Sequence, residues 1–474
     1  MTRRDLIRSA GLGLLSFPAS RAQSPQRPNV ILCMADDQGW GDVGYNGHPY
    51  LKTPNLDAMS EAGLRFDRFY SGAPVCSPTR GSALTGRHPF RYGVPTANAG
   101  HLRQQEVTLA EALKTQGYAT GHFGKWHLGT LTKDQNDGRR GGRKNEHYLP
   151  PWESGFDECF SSEVQMPTWD PMKDQPFPSK YWTGPRQYAT ENLDGDDSRV
   201  IMDRALPFLR RSAEANVPFF AVIWFHTPHE KVIGGPEYRR MYSEFSEGER
   251  HFYGCITAMD EQVGRLRKEL REMGVADNTM LWYCSDNGPE GRTGQEGRRR
   301  GSAGGLRGRK RSLFEGGVRV PGMLEWPSKI QSARRTAVPC STSDYFPTVL
   351  AAAGFDVPES PRPRDGIDLT PLIAGRVNER SRALAFQTTD GGEDGKRRRF
   401  GSPSLALIDN RYKFLSYLDP QRDDSDMLFD LAVDPGERSN VAAEMPERAK
   451  RMKAELAEWR GSCARSDTGA DYLK

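Results

Sequence analysis

Residues 29–39 read Asn-Val-Ile-Leu-Cys-Met-Ala-Asp-Asp-Gln-Gly. Asn29 to Met34 is a continuous apolar run without polar alternation, the pattern of a strand buried on both faces. It stops abruptly in Ala35-Asp36-Asp37-Gln38-Gly39. Two further stretches repeat this design. Pro218 to Phe225 (PFFAVIWF) ends in His226-Thr227-Pro228-His229, and Thr279 to Cys284 (TMLWYC) ends in Ser285-Asp286-Asn287-Gly288. Helical patterns lie between them. Thr53-Pro54 opens one that Gly63 stops, Thr108 to Gln116 is a short amphipathic helix, and helical periodicity runs from about Phe252 to Met273. Tyr118 to Phe123 reads as another strand. Strands alternating with helices predict an α/β fold, a large mostly parallel or mixed sheet sandwiched by helices. Ligands of open α/β sheets bind outside the carboxyl ends of the strands. The polar ends should therefore converge on one rim and bring Asp36, Asp37, His229, Asp286 and Asn287 together.

Composition bounds the rest. The 474 residues are 36% hydrophobic and 27% charged, with 21 Phe, 16 Tyr and 9 Trp, which excludes a disordered chain and leaves enough apolar mass for a large core. The formal charge is +4, but residues 1–22 hold four arginines against one aspartate, so the remainder stands at +1 and no nucleic-acid partner is expected. No apolar run is long enough for a transmembrane segment. Residues 1–22 (MTRRDLIRSAGLGLLSFPASRA) combine Arg3-Arg4, a short apolar stretch and a small-residue cleavage site. They read as an export signal of the twin-arginine type, implying a periplasmic or secreted bacterial protein. Residues 23–370 form the predicted catalytic domain. From 371 to 474 the texture becomes charged and loop-rich around short strands (Ser404 to Ile408, Tyr412 to Tyr417) and a helix (Arg448 to Trp459). That is the pattern of a smaller C-terminal α+β subdomain. The seven cysteines include no C-x-x-C pair, which disfavours a zinc knuckle, and their odd number leaves at least one outside any internal disulfide. Arg292–Arg311 holds eight Arg and Lys against one Glu, compatible with either a solvated loop or contact with a polyanion.

Two clusters carry chemistry. Asp36, Asp37, Asp286 and Asn287 offer hard oxygen donors suited to Ca²⁺ or Mg²⁺ rather than zinc, and adjacent carboxylates at a buried strand end repel unless a cation neutralises them. The second is Cys76-Ser77-Pro78-Thr79-Arg80-Gly81, followed by Leu84-Thr85-Gly86-Arg87. Pro78 places Cys76 near a helix N-terminus, where free N–H groups favour an anion, and Arg80 one turn on aims a forked donor at the same spot. On these residues alone Cys76 is a buried cap, a thiolate nucleophile or the centre of an anion site.

The C-x-P-x-R…L-T-G-R pattern of Cys76, Pro78, Arg80 and Leu84–Arg87 resembles the signature of the sulfatase family. Other segments stand in family order: residues 28–47, Gly124-Lys125-Trp126-His127-Leu128-Gly129, Thr227-Pro228-His229, Ser285-Asp286-Asn287-Gly288, Gly305–Lys310 with Glu315–Pro321, and Leu428-Phe429-Asp430 to Asp434-Pro435 with Glu437 and Asn440. The resemblance covers nearly all the chain after residue 28. After His229 the family usually has proline two residues on, where this chain has Glu230-Lys231.

The resemblance implies a sulfuric ester hydrolase, arylsulfatase-like, of the alkaline phosphatase superfamily. Asp36, Asp37, Asp286 and Asn287, with residue 76, would bind a divalent cation, Ca²⁺ in preference to Mg²⁺. A maturase would convert Cys76 to formylglycine before folding. Arg80 would hold that residue. Lys125, His229 and Lys310 would bind sulfate oxygens, His229 or Lys310 would protonate the leaving alcohol, and His127 would assist release of sulfate. His226 is the rival for the His229 role, whereas His101 and His122 read as structural or pocket-rim residues. The implied partner is a sulfated polysaccharide or glycosaminoglycan fragment. Two alternatives stand beside this reading: a phosphoester or phosphonate ester hydrolase of the same superfamily, and a non-catalytic binder of sulfated glycans that keeps Cys76 unmodified.

Overall fold

The computed structural model describes residues 27–140, 145–175, 177–291, 301–356, 362–389, 402–418 and 426–472. The predicted export signal (1–22) and residues 292–300 of the basic run lie outside them.

A ten-stranded sheet forms the centre. Its five middle strands, in spatial order Thr279–Ser285, Asn29–Ala35, Phe219–Trp224, Ala119–Lys125 and Glu158–Ser162, are all parallel. Short antiparallel pieces extend both edges, Gly322–Glu325 beside Thr279–Ser285 and Trp182–Gly184 beside Glu158–Ser162. The apolar runs became strands for the reason their pattern gives: every residue of Asn29–Ala35, Phe219–Trp224 and Thr279–Ser285 is buried. Alternate residues serve two cores. Val30, Leu32, Trp224 and Trp282 face one side with Ala83 and Leu84 of the helix Cys76–Thr85. Ile31, Cys33, Ile223 and Tyr283 face the other, against the helices Asp197–Glu214 and Glu247–Glu272.

Local signals fix the helix ends. Thr108 and Glu111 form a capping box that starts Leu109–Lys114, and Gly117 at φ +83° turns the chain into the next strand. Ser246 and Glu249 form another, so the long helix begins at Glu247, ahead of its apolar stripe. The terminal helix runs over Pro446–Asp467, longer than its apolar pattern. Few of its residues are buried, Met452, Leu456 and Cys463 among them.

The C-terminal subdomain is a four-stranded antiparallel sheet (Leu384–Gln387, Leu405–Ile408, Tyr412–Ser416, Met427–Asp430). One face packs on Met452 and Leu456 of the terminal helix. The other packs on Tyr70, Leu313, Phe314 and Val318 of the large domain. All seven cysteines are free and buried.

Candidate active site

Strand register builds the rim. Ala35 pairs with Ser285 and Met34 with Trp224, so Asp36-Asp37, Asp286-Asn287 and the 226–229 turn leave the sheet side by side. Backbone bonds lock them: Asp36 N–H donates to Thr227 O (2.9 Å) and Asp286 N–H to Ala35 O (3.1 Å). Asp37 holds φ +68°, a left-handed conformation that Asp tolerates better than most residues, and its N–H donates to Asp286 Oδ1 (3.1 Å). Lys125, the last residue of Ala119–Lys125, reaches the same rim from the neighbouring strand.

The helix Cys76–Thr85 approaches with Cys76 as its first residue, and all ten of its residues are buried. The Cys76 thiol and the Asp36 and Asp286 carboxylates place ligand atoms within 4.8 Å of one another, as do Asp36, Asp37 and His229. Cations interleave with the carboxylates. Lys125 Nζ donates to Asp36 Oδ2 (2.6 Å) and Lys310 Nζ to Asp37 Oδ1 (2.5 Å). Arg80 Nη2 donates to Asp286 Oδ2 (2.7 Å) and Nη1 to Lys125 O (3.1 Å). His229 Nε2 lies 3.5 Å from Asp37 Oδ2. Asn287 Nδ2 donates to Asp37 Oδ1 (2.7 Å) and to Gly288 O (2.9 Å).

Three oxygens of this cluster, Asp36 Oδ1, Asp37 Oδ2 and Asn287 Oδ1, are buried without a hydrogen-bond partner among the described residues. Buried polar atoms are rarely left so. Carboxylate and amide oxygens are the donor set that a hard divalent cation takes. The residues fit the group the sequence implies.

Electrostatics follows the geometry. Burial works against ionisation of Asp36, but Lys125, His229 and Arg80 together hold it well below the usual carboxylate range. Asp286, buried beside the Asp36 charge, is pushed up to about 7 against the pull of Arg80 and Lys125. Burial pushes the Cys76 thiol up, with Lys125 and Lys310 opposing, so the free thiol is a poor nucleophile here.

The remaining histidines separate. His127 (φ +57°) is buried, with Nε2 bonded to Asn98 Oδ1 (2.7 Å) and Nδ1 unpartnered among the described residues. Burial, then Lys125 and Arg140, drive its pKa far down and keep it neutral. His226 is bonded to Ser162 Oγ (2.7 Å) and Asp197 Oδ2 (2.8 Å) instead of to the Asp36–Asp37–Asp286 cluster. His122 sits among Trp126, Phe156 and Trp224, bonded to Ser161. His101 meets His147 edge to face. Sequence reading missed Asn98, which orients His127, and the buried Arg140–Glu163 pair (2.8 Å) whose guanidinium reaches Ser77 Oγ (3.4 Å) beside Cys76. Neither lies in a motif, and only the fold brings them in.

A parallel α/β sheet whose carboxyl rim surrounds one buried cysteine with hard oxygen donors and cations defines a hydrolase of anionic esters. A family profile described as Sulfatase matches residues 28–355, and one described as N-sulphoglucosamine sulphohydrolase, C-terminal, matches residues 308–462. The chain is 34% identical to N-acetylgalactosamine-6-sulfatase of Homo sapiens over 380 residues, 75% of this chain and 68% of that protein. It is 31% identical to Homo sapiens arylsulfatase A over 476 residues, 93% of this chain and 89% of that one. The fold superposes on the crystal structure of Ps i-CgsB in complex with k-i-k-neocarrahexaose with a TM-score of 0.77, at 24% identity over 92% of this chain and 93% of that one. The chain belongs to the sulfatase family, enzymes that hydrolyse sulfate esters.

Proposed function

We propose that this sulfatase removes sulfate from a sulfated polysaccharide or glycosaminoglycan fragment, with formylglycine at position 76 and a divalent cation, Ca²⁺ in preference to Mg²⁺. The observation that carries the reading is the trio of unpartnered buried oxygens, Asp36 Oδ1, Asp37 Oδ2 and Asn287 Oδ1, set against the Cys76 end of a buried helix. The carbohydrate class draws support from the names of two similar proteins, one specifying N-acetylgalactosamine and the other bound to a neocarrahexaose.

Asp36, Asp37, Asp286 and Asn287 would hold the cation, with residue 76 facing it. A bound divalent cation supplies charge against the sulfate oxygens and acidifies a neighbouring hydroxyl. Formylglycine at position 76 would, as its hydrate, supply two hydroxyls on one carbon, a nucleophile for sulfur and a second proton whose loss would release the sulfate. Arg80, already paired with Asp286, orients residue 76 and offsets charge. Lys125 and Lys310 bind sulfate oxygens and stabilise the charge that spreads over them. His229 donates the proton that the departing alkoxide oxygen takes, with Lys310 the second candidate donor. The same reading gives His127 the proton of the second hydroxyl. Its Nε2–H is given to Asn98, so Nδ1 carries a free lone pair on a neutral ring. The same reading has Arg3-Arg4 and the apolar stretch after them export the chain to the periplasm or the medium. A maturase meets the chain before it folds.

The test is mass spectrometry of the tryptic peptide Phe69–Arg80 from a host able to install formylglycine, paired with hydrolysis of matched sulfate and phosphate esters. The expected result is a peptide lighter than the cysteine form and reactive as an aldehyde, with sulfate esters preferred. Unmodified Cys76 in a host that modifies a control sulfatase, together with no sulfate-ester hydrolysis, would overturn the proposal in favour of a glycan binder. A preference for phosphate esters would favour the phosphoester hydrolase.

A further inference from the structure

The Asp434-Pro435…Glu437 motif of the C-terminal subdomain takes no part in the chemistry above, yet Glu437 is fully buried, at φ +53°. Its side chain points into the large domain. Glu437 Oε2 accepts from the backbone N–H of Glu315 (2.6 Å), and its backbone carbonyl accepts from Arg307 Nη1 (3.1 Å). Lys413, fully buried in the strand Tyr412–Ser416, bridges Glu437 Oε1 (3.0 Å) and Glu315 Oε1 (2.9 Å). Glu315 also accepts from Tyr70 OH (3.0 Å) and faces Arg319 (3.5 Å).

Glu315 opens the short turn Glu315–Val318, and this turn ties together the two loops of the site. Gly316 N–H donates to Arg307 O (2.7 Å), holding the loop that carries Lys310. Gly288 N–H donates to Gly317 O (3.0 Å), holding the loop that carries Asp286 and Asn287. The packing leaves no slack. A Cβ on Gly317 would lie 2.0 Å from Ser312 O, and one on Gly316 would lie 2.3 Å from Gly308 O. A displacement of Glu315 therefore passes along the backbone to Lys310, whose Nζ otherwise answers to Asp37.

We propose that Glu437 and Lys413 are positioning residues for Lys310: the C-terminal subdomain sets the reach of a sulfate-binding cation in the large domain through the buried Glu437–Lys413–Glu315 bridge. This rests on the reading of Lys310 as a sulfate ligand. It gives the subdomain a part in turnover beyond covering apolar surface.

The experiment is a double-mutant cycle of Glu437→Gln with Lys310→Ala in the full-length, cation-loaded enzyme. It is read by kcat/KM on p-nitrophenyl sulfate and by the Kd of inorganic sulfate. Misplacing a reactive group by an ångström costs about 10²-fold, so Glu437→Gln is expected to lower kcat/KM by about that factor and to weaken sulfate binding. On the Lys310→Ala background, with Ca²⁺ held saturating so that a shift of the Asp286–Asn287 loop is offset, the same substitution should change both by no more than about two-fold, because the group it positions is gone. Equal losses on both backgrounds, or no loss on either, would overturn the proposal. Lys310→Ala without effect on its own would instead refute the role of Lys310. Glu437→Asp keeps the charge but withdraws the carboxylate from Glu315 N–H, and gives the same cycle if Glu437→Gln does not fold.

Discussion

Lys125→Met should damage catalysis and strengthen cation binding at once. Lys125 Nζ and Asp36 Oδ2 lie 2.6 Å apart with neither side chain exposed. Removing one partner of a buried ion pair costs about 3–5 kcal/mol. A chain of 474 residues unfolds with an entropy near 1 kcal/mol/K, so the loss reads as a Tm lower by about 3–5 °C in chelator. Asp36 then keeps Arg80 Nη2 at 3.6 Å as its remaining ion-pair partner besides its neighbours across the cluster. Saturating Ca²⁺ takes over the neutralisation of Asp36, and the Tm deficit narrows. Linkage requires the recovered energy to appear as tighter Ca²⁺ binding by the variant, about ten-fold for each 1.4 kcal/mol recovered. Turnover moves the other way, because loss of a donor to the transferring group costs about 10²–10³ in kcat. Calorimetric scans in EGTA and in Ca²⁺, Ca²⁺ titration and p-nitrophenyl sulfate hydrolysis read the three effects. A Tm deficit of the same size in both buffers, with unchanged Ca²⁺ affinity, would refute the assignment of Asp36 to the cation.

The two rival histidines should part by assay. His229→Ala is expected to lower kcat/KM by about 10²-fold with little change in Tm, whereas His226→Ala strands Asp197 and Ser162 in the interior and costs about 1–3 kcal/mol of stability; the reverse pattern would exchange their roles. Gly288→Ala sets a Cβ 1.9 Å from Gly316 O and must shift Asn287, so Ca²⁺ affinity should fall about 10–100-fold, and an unchanged affinity would refute the coupling of that backbone to the cation site. Burial drives the pKa of His88 down to about 3 against the attraction of Asp365. The unfolded chain takes up this proton near pH 6.5 and the native state does not, so the contribution is complete above 6.5 and is lost as pH falls toward 3. Between pH 6.5 and 5 it amounts to about 2 kcal/mol, and His88→Asn should flatten the stability curve by that amount, as denaturant titration at the two pH values would measure.

The middle of the sheet and its rim were legible because burial on both faces leaves an uninterrupted apolar run, and the polar residues after it have only one place to go. The edge strands were not. Leu64–Phe66, Gly322–Glu325 and Arg334–Thr336 span three or four residues each, too few for any period to show, and they exist through pairing with one another and with Thr279–Ser285. The helix over Glu247–Glu272 was foreseen from its apolar stripe, which begins a turn after the capping box that starts it. Cys76, Arg80 and the four oxygen-donor residues sit in motifs and could be named. Asn98, Arg140 and Glu163 act through space from irregular loops, and nothing in their flanks distinguishes them. His226 and His229 lie three residues apart in one turn, and only the Pro228-His229 pair favoured His229; the fold sets His229 beside Asp37 and His226 against Asp197.

If residue 76 is converted as proposed, the burial of the whole helix Cys76–Thr85 sets that conversion in a race with folding. Once that helix docks, no maturase can reach residue 76, so the proposed conversion has to finish while the segment is still extended. The fold lengthens the time allowed. The helix rests on a sheet whose strand Asn29–Ala35 must find Thr279–Ser285, 250 residues further along, and contacts so distant in sequence form late. The yield of competent enzyme is then set by kinetic partitioning between two clocks, modification and closure. Conditions or substitutions that hasten closure would leave more molecules folded, soluble and permanently inert.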